Sequence, residues 1–166
     1  MDLVQSDFDQ IEQQYGIDLG RGSNSTKPRE AASMAEHYEV FYCLENSIRE
    51  LVSSQLFARH GDSWWDTAVP DAVKQNLEKN RSREQEAGIT IRSIDMLDYT
   101  TFGELGEIIQ ANWETFADTF NNRKAVSRVL SSLNLLRGPI AHCCPLAPDE
   151  VMRLRLAFAD WFRLMS

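Results

Sequence analysis

Apolar residues recur at helical spacing along most of this chain. Leu3, Val4, Phe8, Ile11, Tyr15 and Ile17 predict a short amphipathic helix within residues 1–19, ending near Gly16. Gly20 through Pro28 reads as a flexible linker, with the following domain beginning by residue 31. From Arg29 to Arg59 the pattern is helical throughout. Tyr38, Phe41, Leu44, Ile48, Leu51, Val52 and Leu56 make one stripe, and Glu45 lies four residues before Arg49, beside Asn46. Gly61 ends that helix ahead of Trp64-Trp65, which cannot share one helix face. Pro70 opens a mostly polar, peripheral helix over 71–87, with Val73 and Leu77 pointing inward, and Gly88 stops it.

Ile89-Thr90-Ile91-Arg92 alternates but has no partner strand, so it reads as a connector. Thr100 or Thr101 caps the next helix, whose inner face is Phe102, Leu105, Ile108, Ile109 and Trp113, extended by Phe116 and Phe120. Arg123 to Arg137 buries Val126, Val129 or Leu130, Leu133 and Leu136. Pro148 with Asp149 and Glu150 starts the last helix, with Val151, Leu154, Phe158, Trp161 and Phe162 inside. These elements predict an all-α fold, a bundle of four main helices with short accessory helices.

Arg137-Gly138-Pro139-Ile140-Ala141-His142 falls between the last two helices. A guanidinium presents a planar fork of donors to phosphate oxygens. Imidazole is the side chain best suited to move a proton near neutral pH. On an ideal helix the two would diverge by about 140°. Proline lacks the N–H that would bond to Leu135, and it disfavours helical backbone at Gly138. The expectation is therefore a break or kink that swings Arg137 and His142 toward one cleft.

The net charge of −8 argues against a non-specific nucleic-acid coat, but its distribution matters more than its sum. Residues 1–122 carry 10 basic and 22 acidic side chains; residues 123–166 carry 7 basic and 3 acidic. The Arg137 segment thus lies in the only positive part of the chain. Three cysteines, two adjacent, make no disulfide framework, which fits a reducing cytoplasm, and no run is long enough for a membrane span. His142-Cys143-Cys144 lacks the further ligands a zinc site needs, and Cys143 lacks an orienting third residue as a nucleophile. The Gly20–Pro28 stretch lacks the Gly-Lys-Ser/Thr ending of a phosphate loop. His37 and His60 read as solvated or capping side chains.

The run Leu130, Leu133, Leu136, Arg137 to His142, then Pro145-Leu146 and Asp149-Glu150, resembles the signature end of HEPN (higher eukaryotes and prokaryotes nucleotide-binding) domains. It is most similar to the branch first described as an accessory domain of an mRNA quality-control endonuclease. The resemblance extends to the helix from Tyr38 to Leu56, Trp64-Trp65, and Leu97-Asp98-Tyr99 through Trp113. It implies a metal-independent endoribonuclease without cofactor, in which His142 acts as acid or base and Arg137 stabilises the phosphorane, leaving a 2′,3′-cyclic phosphate. It also implies that Glu45, Asn46 and Arg49 line the cleft beside Gly138 and Pro139. Defence, toxin and RNA-turnover settings all occur in the family, as does restraint by an antitoxin or other regulatory protein.

Two positions depart from the family pattern. Gly138 replaces a residue that is often polar. Cys144 stands where some toxins carry a tyrosine for nucleotide transfer. A catalytically silent module that binds RNA, a nucleotide or another protein is the alternative. In-line attack also benefits from a base on one side and an acid on the other. With one His142 per chain in the motif, a homodimer about the Gly138-Pro139 segment is expected, with some of Ile140, Leu146 and Trp161 facing the partner.

Overall fold

A computed structural model of the chain describes residues 10, 13, 14 and 27–165. The expected N-terminal helix and the boundary near residue 19 otherwise lie outside the described residues. Seven α-helices follow: α1 (Lys27–His60), α2 (Trp64–Ala68), α3 (Asp71–Glu86), α4 (Phe102–Ala111), α5 (Trp113–Phe116), α6 (Arg123–Ala141) and α7 (Pro148–Leu164). Two 3₁₀ turns, Gly61–Ser63 and Met96–Tyr99, join them, and no strand occurs among the described residues. The fold is all-α, with α1, α4, α6 and α7 as its main helices and α6 packed chiefly on α7 and α4.

The core is the predicted one in most respects. Val52, Leu56, Leu77, Leu105, Ile108, Ile109, Phe116, Val126 and Leu133 have no exposed surface. Burying a side chain of this kind is worth about 1.5–3 kcal/mol. Trp161 closes the centre, its ring 5.0 Å from that of Phe120. Val129 and Leu130 are both buried, whereas Trp113 is only half-buried. Trp64 and Trp65 are both half-buried and meet edge to face.

Two apolar expectations need correction. Tyr38 is 60% exposed, because it lies on the flank of the α1 stripe and not under its neighbours. Phe162 is likewise exposed. Trp161 and Ile140 are buried within the protomer and so are already partnered, which leaves only half-buried Leu146 of the three residues expected to face a second copy.

Local chemistry sets the helix ends that frame the site. Thr101, not Thr100, caps α4. Its hydroxyl accepts from the Glu104 amide, and the Glu104 carboxylate accepts from the Thr101 amide at 2.7 Å. Glu104 also takes the Asn76 side-chain amide at 2.7 Å, tying α3 to α4. Asn122 caps α6 through the Ala125 amide. Glu150 accepts the Ala147 amide at the start of α7.

The expected break at Gly138-Pro139 is not there. α6 is helical through Pro139 and ends at His142. Two features make this feasible. Gly138 has no Cβ to meet the Pro139 ring, which removes part of the pre-proline clash. Leu135, whose carbonyl loses its amide partner, is 78% exposed. The chain reverses only after His142, where Cys143 takes φ 57°. The Cys143 amide bonds the Ile140 carbonyl, and the Cys144 amide bonds the Pro139 carbonyl at 2.8 Å. This is a Schellman end with cysteine in the position glycine usually fills.

Candidate active site

A groove of about 390 Å³ opens between α1 and the last turn of α6, closed on a third side by the 92–98 segment. Its α1 wall is the row Tyr38, Tyr42, Glu45, Arg49, residues spaced to share one helix flank. Glu45 is the buried hub. Its Oε1 accepts from Arg49 Nη2, and its Oε2 accepts from Arg137 Nε at 3.0 Å.

The two arginines are held differently. Arg49 spends its donors on the protein: Nε on the Leu97 carbonyl (3.2 Å), Nη1 on Asn46 Oδ1 (3.3 Å) and Nη2 also on the Thr100 carbonyl (3.0 Å). It fastens α1 to the connector before α4. Arg137 uses only Nε. Among the described residues its two terminal nitrogens have no partner, and the side chain is 35% exposed. A guanidinium anchored at Nε, with its outer edge open to a groove, is set to take an anion by two parallel bonds.

The third wall adds Arg92 and Asp98. Arg92 lies over the Tyr99 ring, 4.9 Å from its centroid, and its Nε donates to Glu84 at 2.6 Å. That hydrogen bond holds the Glu84 carboxyl below its ordinary value of 4.5.

Of the residues singled out from the sequence, Glu45, Asn46, Arg49 and Arg137 meet in this groove. Gly138 and Pro139 are half-buried on α6 behind it, and no atom lies within 4 Å of a side chain placed at Gly138 beyond its own helix. His142 is exposed and sits one residue past Ala141, the last residue to line the groove. The helix carries it about 140° around from Arg137, so one protomer does not aim both side chains into one cleft. Tyr38, Tyr42, Arg92 and Asp98 were not expected here. Tyr38 was legible as part of the α1 pattern but was assigned to the core, and Tyr42 lies outside that stripe. Nothing local marks Arg92, because its place depends on a connector folding back.

The described residues form an all-α bundle with a groove lined by Arg49, Arg92 and Arg137 at the last turn of α6. The Swt1-like HEPN family model matches residues 39–166. The chain belongs to this HEPN family, on the branch of an mRNA quality-control endonuclease. No curated protein and no solved structure matches it. Among the described residues no helix is long and apolar enough to cross a membrane.

Proposed function

We propose that this domain is a metal-independent endoribonuclease whose working unit is a homodimer. The 2′-hydroxyl of the substrate attacks the adjacent phosphorus, the 5′-oxygen leaves, and the products are a 2′,3′-cyclic phosphate and a 5′-hydroxyl. One His142 takes the proton from the 2′-oxygen, and a second returns one to the leaving oxygen. The terminal nitrogens of Arg137 bind the non-bridging oxygens, where charge grows in the phosphorane. The reading rests on one observation above all: Arg137 is anchored by Glu45 with its outer edge open to solvent, on the same helix that ends in exposed His142. Because that helix directs the two apart, a two-fold related copy is what brings one protomer's imidazole to the other's guanidinium.

Incubation of the purified protein with single-stranded RNA tests this. Cleavage persists in EDTA, yields cyclic phosphate ends, and disappears in His142→Ala and in Arg137→Ala. Mixing the two inactive variants does not restore activity, since a mixed dimer holds a single His142 and the reaction uses two. Cleavage that stops with EDTA, or that survives in His142→Ala, overturns the mechanism.

One feature favours a second reading, a silent RNA- or nucleotide-binding module. His142 stands outside the groove of its own protomer, and Gly138 supplies no polar group there. A strict monomer that binds RNA without cutting it establishes that alternative.

A further inference from the structure

We infer that Tyr38 and Tyr42 form a base-stacking platform that makes the Arg137 groove selective for single-stranded RNA; this rests on the reading of the groove as a phosphate site. Each residue is 60% exposed, although tyrosines that serve a helix's own packing bury most of their surface. The core stripe of α1 begins with Phe41 and passes them by. Their centroids are 6.2 Å apart with planes inclined by 36°, so neither ring covers the face of the other. Among the described residues neither hydroxyl has a hydrogen-bond partner.

Their placement supplies the reason for a nucleic acid. Tyr42 and Tyr38 step away from Glu45, which anchors Arg137, by about 4.5 Å and 10.5 Å along the helix axis. A base lying on Tyr42 keeps its phosphate within reach of the Arg137 fork, and Tyr38 offers a second face one turn further. The groove's charged lining is three arginines, Arg49, Arg92 and Arg137, with Glu45 and Asp98. Arg92 is paired with Glu84 and Arg49 is spent on the protein, so among the described residues the open donors at this groove are the terminal nitrogens of Arg137. Aromatic faces beside open guanidinium donors are the two halves of single-strand recognition. Paired bases inside a duplex cannot present a free face to either ring.

The test is binding of the full chain to a labelled single-stranded 2′-O-methyl oligonucleotide, which lacks the attacking hydroxyl and stays intact, beside its duplex. Wild type prefers the single strand. Tyr42→Ala and Tyr38→Ala each weaken that binding by roughly ten-fold, while Tyr42→Phe and Tyr42→Trp keep it. The slope of log affinity against log salt is unchanged in the alanine variants and falls in Arg137→Ala, because stacking releases no counterions. Equal affinity for duplex, no single-strand binding by wild type, undiminished binding by the alanine variants, or equal damage from Phe and Ala overturns the proposal. So does conversion of a dimer to a monomer by Tyr→Ala, which assigns the rings to a second copy. Tyrosine-dependent binding without RNA cleavage keeps the platform and removes the nuclease; cleavage without tyrosine dependence does the reverse.

Discussion

Glu45 and Arg137 are 92 residues apart in the sequence, and Glu45 Oε2 accepts the Arg137 Nε–H at 3.0 Å. The pair is unequal in what it does for the fold. Glu45 is 9% exposed and compensates two guanidiniums, whereas Arg137 is more open and contributes one hydrogen bond. Glu45→Ala therefore costs about 2–4 kcal/mol, since it strands Arg49 in particular, and Arg137→Ala costs about 1 kcal/mol. Urea denaturation of the two variants measures this. The reverse order would make Arg137 the structural member and weaken its assignment to substrate.

Pro139 interrupts one backbone hydrogen bond in a helix that is otherwise continuous. Pro139→Ala restores an N–H to the Leu135 carbonyl and stabilises the domain by about 1–3 kcal/mol. Gly138→Ala gains about 1 kcal/mol in that background and less with Pro139 present, because the new Cβ then meets the proline ring. A double-mutant cycle reads the coupling. Additive effects would show that the glycine is not what lets the helix pass.

Cys143 holds a left-handed conformation, φ 57°, with an exposed side chain. Cys143→Gly removes that steric cost and raises stability by about 1 kcal/mol in chemical denaturation. A loss instead would mean that the thiol makes a contact worth more than the strain.

The Arg92 hydrogen bond depresses the Glu84 carboxyl below 4.5 in the folded state. As pH falls, the unfolded chain takes up that proton first. The stabilisation is therefore complete above about 4.5, the unfolded value, and is lost as pH drops through the lower folded value. Glu84→Gln lowers stability at neutral pH and flattens its dependence on pH in the acid range. An unchanged acid limb in this variant would rule the pair out as its source.

The main helices and the acidic start of α7 were legible because each rests on local spacing or on one capping residue, as Thr101 illustrates; the Asn122 cap was not foreseen. Membership of the HEPN family was legible from the Leu130–Glu150 run. The course of the chain at Gly138-Pro139 was not. Proline's local preference predicts a break, but Val129, Leu133, Leu136 and Ile140 are buried along one continuous face, and that packing overrides it. Tyr38 was misplaced for a related reason: it lies at the edge of the α1 stripe on a helical wheel, and only the neighbouring helices decide where burial stops. Arg92 enters the groove through the fold of a connector, which no periodicity encodes.

The long separation between Glu45 and Arg137 also governs when the groove comes into being. A ribosome adding about 5–20 residues per second makes the whole α1 wall first and needs several seconds more to reach Arg137. During that interval Tyr38, Tyr42 and Glu45 exist without the guanidinium that would hold a phosphate. The nascent chain therefore lacks the Glu45–Arg137 pair, and with it the finished groove, until α6 has been made and has docked on α1.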